Sequence, residues 1–270
     1  MFWLIMLAAV LTYINYPIIS TVLTKSELVA TNYAGEEIPI GYGILLVINS
    51  IIILTVGINL GVYSLQVGGA LLYLIVTAGV LGIIDDYYGD HQNSGLSGHL
   101  GEFIANSNVT TGLLKAVFIS LIVFLLITEL VDGLVGITIN FLLVVLMTNF
   151  INLLDLRPGR ALKGFIIVSV PLFLVTTSLF DRLIIPLLVM ILIMLPVDLK
   201  AEAMLGDVGA NLLGAFLGLS LVFSAPESYK ILIVLFLVAM HIYTEKVSLT
   251  EVIAQNEFLD RLDKLGRDEG

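Results

Sequence analysis

Residues Leu81 to Asp90 read L-G-I-I-D-D-Y-Y-G-D, a place where a long apolar run stops at two adjacent carboxylates. No charged side chain occurs from Gly41 to Ile84, so Asp85 and Asp86 stand where a membrane helix meets water. Ionisable groups at membrane depth are costly and mark function. Neighbouring helical positions diverge by about 100°. One carboxylate can therefore face the bundle interior while the other faces a cavity mouth, which would supply half of a magnesium site.

The rest of the chain agrees with a membrane setting. It is 59% apolar and 13% charged, with a mean hydropathy of +1.07, outside the range of ordinary soluble domains. The expected fold class is all-α, a polytopic membrane helix bundle with its working face on the cytoplasmic side. A net charge of −10 leaves no basic stripe for a run of phosphates and excludes nucleic acid as a partner. With no cysteine there is no thiolate metal site or Cys nucleophile, and three scattered His disfavour a His-built one. The apolar run from Met1 to Leu23 lacks a basic region and a small-residue cleavage site, so it reads as a retained helix.

A span needs roughly 20 apolar residues. About nine candidates follow, near 1–23, 41–61, 69–85, 113–130, 134–151, 162–180, 183–199, 208–225 and 229–245. Alternating the loops between two sides puts Lys25, Lys115, Arg157, Arg160, Lys163, Lys200, Lys246, Arg261, Lys264 and Arg267 together and leaves only Arg182 and Lys230 opposite. The positive-inside rule then makes the first side cytoplasmic, with the N-terminus outside and the C-terminus inside. Residues 1–245 form the membrane domain. Residues 246–270 mix acidic and basic side chains, carry the capping-box spacing of Ser248 and Glu251, and read as a cytoplasmic amphipathic helix docked on the protein's own loops.

Three constellations lie on that side. The first is Asp85 and Asp86 with the polar stretch 89–112, which contains His91, His99 and Glu102, and with Lys115 just beyond. Two Asp at a helix C-terminus repel its dipole and call for a cation. The second is N-F-I-N-L-L-D-L-R-P-G-R-A-L-K from Asn149 to Lys163. Pro158 suits a first helical position, so Arg157, Arg160 and Lys163 crowd a helix start that disfavours cations, and an anionic partner would offset this; each base singly also reads as a topology anchor. The third is A-E-A-M-L-G-D-V-G-A-N from Ala201 to Asn211, where Asp207 could be a helix cap or a metal ligand beside backbone N–H groups that take a phosphate oxygen. His241 and Glu245, four apart, read as a structural pair on one helix face.

In their order, I-I-D-D at Ile83 to Asp86, N-x-x-N-x-x-D at Asn149 to Asp155 and A-E-x-x-x-G-D-x-G at Ala201 to Gly209 resemble the polyprenyl-phosphate N-acetylhexosamine-1-phosphate transferases, the superfamily of MraY and the WecA-type enzymes. The early loop G-E-E-I-P-I-G-Y-G, Gly35 to Gly43, joins the resemblance. What it implies is an enzyme of a bacterial cytoplasmic membrane that transfers a sugar 1-phosphate from a UDP-linked amino sugar to undecaprenyl phosphate, with Mg²⁺ as cofactor and UMP released. Its partners would be the polyprenyl phosphate lipid and the nucleotide sugar, and a homodimer is a candidate assembly. By position Asp207 would ligand the metal, Asp85 would orient or deprotonate the lipid phosphate or bind the metal too, and Asp86 would support both. Lys115, Asn152, Asp155, Arg157, Arg160, Lys163 and Met204 would line the donor site.

The chain departs from the pattern in its donor-side parts. Leu156 and Pro158 replace a Gly and an Asp, Met204 replaces the aromatic residue expected to stack on uracil, and E-K-V-S-L-T-E-V-I stands at Glu245 to Ile253 in place of a His-rich loop. A final tenth helix is not found. The alternative reading is a non-catalytic relative that binds polyprenyl phosphate as a regulator or scaffold. A transporter is disfavoured, because no charge lies near the centre of any span.

Overall fold

The structure is a computed structural model that describes residues 1–26, 28–32, 35–88 and 111–267. His91, His99 and Glu102 lie outside the described residues. Among those described, eleven α-helices and two short strands account for the regular structure. In chain order they are α1 (Phe2–Lys25), β1 (Val29–Thr31), β2 (Glu37–Pro39), α2 (Ile44–Asn59), α3 (Leu65–Tyr88), α4 (Thr111–Leu130), α5 (Leu134–Leu154), α6 (Arg160–Leu172), α7 (Ser178–Leu199), α8 (Gly206–Ser224), α9 (Glu227–Thr244), α10 (Leu249–Gln255) and α11 (Glu257–Lys264). The fold is an all-α polytopic membrane helix bundle, with β1 and β2 as a small antiparallel hairpin that pairs Val29 with Pro39 and Thr31 with Glu37.

Each expected span falls on one of α1 to α9, but the helices differ in reach. Seven are long and apolar enough to cross a membrane; α2 has 16 residues and α6 has 13. At 1.5 Å per residue, α6 covers about 20 Å against a hydrocarbon core of about 30 Å. The expected span 162–180 divides because the chain turns at residues 173–177, and Thr177 takes up extended backbone ahead of α7. A hydropathy run cannot register that break, since residues 164–180 are uncharged throughout.

One helix is enclosed by the others. Of the α8 span, 89% is buried, against 17% for α1, α4 and α9, whose apolar side chains face outward. Its most extensive contacts are with α5 and α3. The approach is close because glycines stand at the crossings. A Cβ on Gly214 would lie 2.4 Å from Thr148 Cα of α5, and one on Gly82 of α3 would lie 2.4 Å from Val208 Cα of α8. The segment leading into α2 presses on the same helix: Met204 N–H donates to Pro39 O (2.8 Å), Tyr42 N–H to Met204 O (3.0 Å) and Gly43 N–H to Leu205 O (2.9 Å).

The bundle has two ends. One gathers the C-termini of α1, α3, α5, α7 and α9 with the N-termini of α2, α4, α6 and α8, and there α10 and α11 return onto the body. The other is tied by Tyr63 Oη to Arg182 O (2.8 Å) and by Thr177 N–H to Ser224 O (3.1 Å). The expected single tail helix is two, because Asn256 interrupts it: its Oδ1 accepts the N–H groups of Phe258 and Leu259 (both 3.1 Å) and caps α11. Ser248 precedes α10, yet its hydroxyl makes no capping bond.

The crossing geometry makes a prediction. Gly214→Ala should destabilise the bundle by about 1 to 3 kcal/mol, since backbone must move. Gly69→Ala, where an added Cβ meets nothing within 4 Å, should be neutral or stabilising by up to about 1 kcal/mol. Thermal unfolding of both variants in one detergent checks the contrast.

Candidate active site

The first four N–H groups of a helix have no partner within it, and at α8 these groups are buried inside a membrane protein. Leu205, the residue at the cap position, offers no side-chain oxygen. Carboxylates from three other segments take its place. Asp86 of α3 accepts Asp207 N–H on Oδ1 (2.8 Å) and Val208 N–H on Oδ2 (3.3 Å). Asp155, just after α5, lies beside Gly206 N–H. Asp198 of α7 accepts Gly159 N–H at 2.9 Å and lies beside Leu205 N–H.

Gly206 is required where these meet. Its φ is +72°, and a Cβ there would lie 2.6 Å from Asp86 Oδ2. The same crowding acts on charge. Burial first, then the neighbouring Asp198, Asp207 and Asp86, push the Asp155 carboxyl well above the usual carboxylate range, against the opposing hydrogen bond from Gly206.

Two carboxylates remain outside this capping arrangement, Asp85 and Asp207. Both pair with Lys115 of α4; the Asp85 Oδ2 contact is 2.6 Å, and Asp207 Oδ2 is the second partner. All three side chains are largely sheltered. Asp85, Asp86, Asp207 and Lys115 therefore converge, and Asp86, expected to support the other two carboxylates, is a cap with both of its oxygens occupied by backbone N–H. The N–H groups expected to take a phosphate oxygen at α8 are likewise already given to Asp86. Asp207 does not cap its own helix.

Among the described residues, no group of three or more His, Cys, Asp or Glu is arranged to hold a metal by itself. The Asp85 and Asp207 pair does suit Mg²⁺. That ion is commonly bound by one or two carboxylates, with waters and substrate phosphates completing its shell, and these two already converge on one cation, the Lys115 ammonium.

The donor-side residues fall into two groups. Asn152 lies in the last turn of α5, three residues before Asp155, and its Oδ1 is buried with no hydrogen-bond partner among the described residues. Met204 is partly buried, with its backbone fixed by Pro39 and Tyr42. Arg160 and Lys163 are corrected, because the anion they call for is supplied by the chain itself. Arg160 is buried and grips Asp263 through Nε and Nη2 (both 2.8 Å), with Nη1 on Thr250 Oγ1 (2.9 Å). Lys163 Nζ donates to the carbonyls of Leu262 (3.1 Å), Asp263 and Leu265 (3.2 Å).

Arg157 is half-buried in the turn between α5 and α6. That turn also corrects the expected helix start, since Gly159, at φ +72°, delays α6 to Arg160 and leaves Pro158 outside it. His241 bonds within its own helix, Nδ1 to Leu237 O at 2.7 Å. Sequence reasoning missed Asp198 as a cap, although a carboxylate closing the apolar run from Leu183 to Val197 was a usable signal. Nothing local signalled Asp263. In comparisons with known proteins, no family model and no curated protein matches the chain.

Two outcomes follow from this geometry. Asp86→Ala should cost about 2 kcal/mol or more, because two buried N–H groups lose their acceptor, while Asp86→Asn, which keeps one acceptor oxygen, should cost less; unfolding in detergent ranks them. The second concerns pH. Burial acts to raise Asp263, but hydrogen bonds from Arg160 and Arg267 hold it below the usual carboxylate range. Its contribution is therefore whole above about pH 3.9, the ordinary Asp value, and is lost as pH falls through the lower folded value. Hydrogen exchange of residues 249–267, corrected for intrinsic rate, should show protection at pH 5 and its loss only below about pH 4.

Proposed function

We propose that the chain is a Mg²⁺-dependent phosphoglycosyl transferase acting on polyprenyl phosphate. In this reading it moves a sugar 1-phosphate of the N-acetylhexosamine type from a UDP-sugar to undecaprenyl phosphate, giving polyprenyl-diphosphate-sugar and UMP for cell-wall or surface-glycan synthesis. The working end would face the cytoplasm. The observation that carries the reading is the convergence of Asp85, Asp207 and Lys115 at one end of the bundle, beside a helix N-terminus already neutralised by other carboxylates.

Phosphoryl transfer depends on positioning and charge neutralisation more than on covalent help from the protein. An oxygen of the lipid phosphate attacks the sugar-bearing phosphorus of the donor, and the bond from that phosphorus to the bridging oxygen breaks as UMP leaves. When the lipid phosphate enters with a proton, Asp85 would accept it. Lys115 would pair with phosphate oxygen, and Asp86 would act as a positioning residue by fixing the start of α8. Asp85 and Asp207 would hold Mg²⁺, which when bound would offset the negative charge of the phosphates. The buried Oδ1 of Asn152, without a partner among the described residues, suits an N–H on the donor. The positioning of Asp155 at Gly206 N–H supports the same end of the site.

The test is purified protein with undecaprenyl phosphate, Mg²⁺ and a panel of nucleotide sugars, read as released nucleoside monophosphate. Turnover with one uridine diphosphate sugar is expected, with a loss of about 100-fold or more in Asp207→Asn, comparable to removing one preorganised transition-state contact. Full activity in Asp207→Asn would sink the assignment. Lipid binding without turnover of any donor would favour a regulator or scaffold.

A further inference from the structure

The side chains that the proposed chemistry leaves unused collect where the tail meets the turn between α5 and α6. Arg160 holds Asp263 from two nitrogens (both 2.8 Å). Asp263 Oδ1 also accepts Arg267 Nη2 (2.7 Å), and Arg267 Nε donates to Pro158 O (2.7 Å). The path therefore closes on itself, leaving the turn at Arg160 and returning two residues earlier at Pro158. Lys163 adds bonds to three carbonyls around the end of α11, where the helix dipole is negative. Only one face of the tail is engaged: Asp263 and Arg267 are about nine-tenths buried, whereas Arg261 and Phe258 stay exposed.

The gripped turn needs outside support. It contains Pro158, which has no N–H, and Gly159 in a left-handed conformation, a residue type that holds no backbone shape by itself. Asp198 fixes Gly159 N–H from the body side and Arg267 fixes Pro158 O from the tail side. Three residues before Pro158 stands Asp155, whose carboxyl meets Gly206 N–H at the start of α8.

We infer that the C-terminal segment 249–267 is a clamp, in which Asp263 and Arg267 are positioning residues that fix the turn after α5 and, through it, the contact of Asp155 with the α8 N-terminus. The hold on the turn stands on the hydrogen bonds of Asp263, Arg267 and Asp198; its effect on turnover rests on the function proposed above.

Because the chain has no cysteine, a single Leu156→Cys, at an exposed position next to Asp155, can carry a nitroxide in the full-length protein in nanodiscs. A rigid spectrum is expected in the otherwise native chain and a mobile one in both Asp263→Asn and Arg267→Gln. Rigidity should be kept in Arg267→Lys, which retains a cation within reach of Asp263 and Pro158 O. A rigid spectrum in both Asp263→Asn and Arg267→Gln overturns the clamp, and so does a spectrum as mobile in Arg267→Lys as in Arg267→Gln. In the transferase assay the single variants should lose about tenfold in kcat with the lipid KM unchanged, as for a displaced group that touches no substrate. A mobile turn with unchanged kcat overturns the catalytic half. Absence of turnover in every form would count against the proposed function, while the spectra would still decide the clamp.

Discussion

Burying the amino terminus of α8 is the constraint from which the site follows. A helix start in water is solvated at little cost, but one enclosed by neighbouring helices in a membrane must find acceptors for its free N–H groups. Here the acceptor is Asp86 of α3, which binds the N–H groups of Asp207 and Val208, while Asp155 after α5 and Asp198 of α7 lie beside those of Gly206 and Leu205. Helices α3 and α5, distant in sequence, and the neighbouring α7 are thereby registered against α8. Glycine at position 206 and at the crossings of α8 with α3 and α5 lets the backbones come close enough for these bonds to form.

That solution has an electrostatic consequence. A helix N-terminus carries about half a positive charge, and three nearby carboxylates exceed it. Asp85 and Asp207 add more negative charge, and among the described residues Lys115 bridges the two. A second cation or the positive end of a ligand is favoured there. Burial, and then the neighbouring carboxylates, drive the Asp155 carboxyl upward. Capping and reactivity are thus separated by geometry: the carboxylates whose oxygens face backbone N–H are fixed, and those whose oxygens face an ammonium remain exchangeable.

The fold class was legible because an uncharged apolar run of roughly 20 residues matches the thickness of a bilayer and is too long for most buried helices of a soluble core. Asp85, Asp86 and Asp207 were legible because charge is expensive at such places. What local sequence could not convey was which of two adjacent carboxylates turns to backbone and which to Lys115, since that depends on how α3 is rotated against α8. Nor could hydropathy mark the end of α6, where an uncharged chain turns without changing composition. Asn256, by contrast, offered a recognisable cap inside a segment otherwise read as one helix.

The misreading of Arg160 and Lys163 has the same origin. Cations at a helix start do call for an anion, and one is present, but it lies 103 residues away in the chain. The tail carries both signs of charge, so composition alone could not select Asp263 over Asp260. Register selects it: Asp263 and Arg267 are four residues apart, and one carboxylate can answer Arg160 while aligning the guanidinium that reaches Pro158 O. A buried ionic cluster of this kind gives little net stability relative to an apolar contact. An apolar contact could not have satisfied the carbonyl of Pro158, however, and it would have left the turn after α5 free to slide. Charge at this junction therefore specifies position, and the position it specifies is that of the turn next to Asp155, the residue beside the buried end of α8.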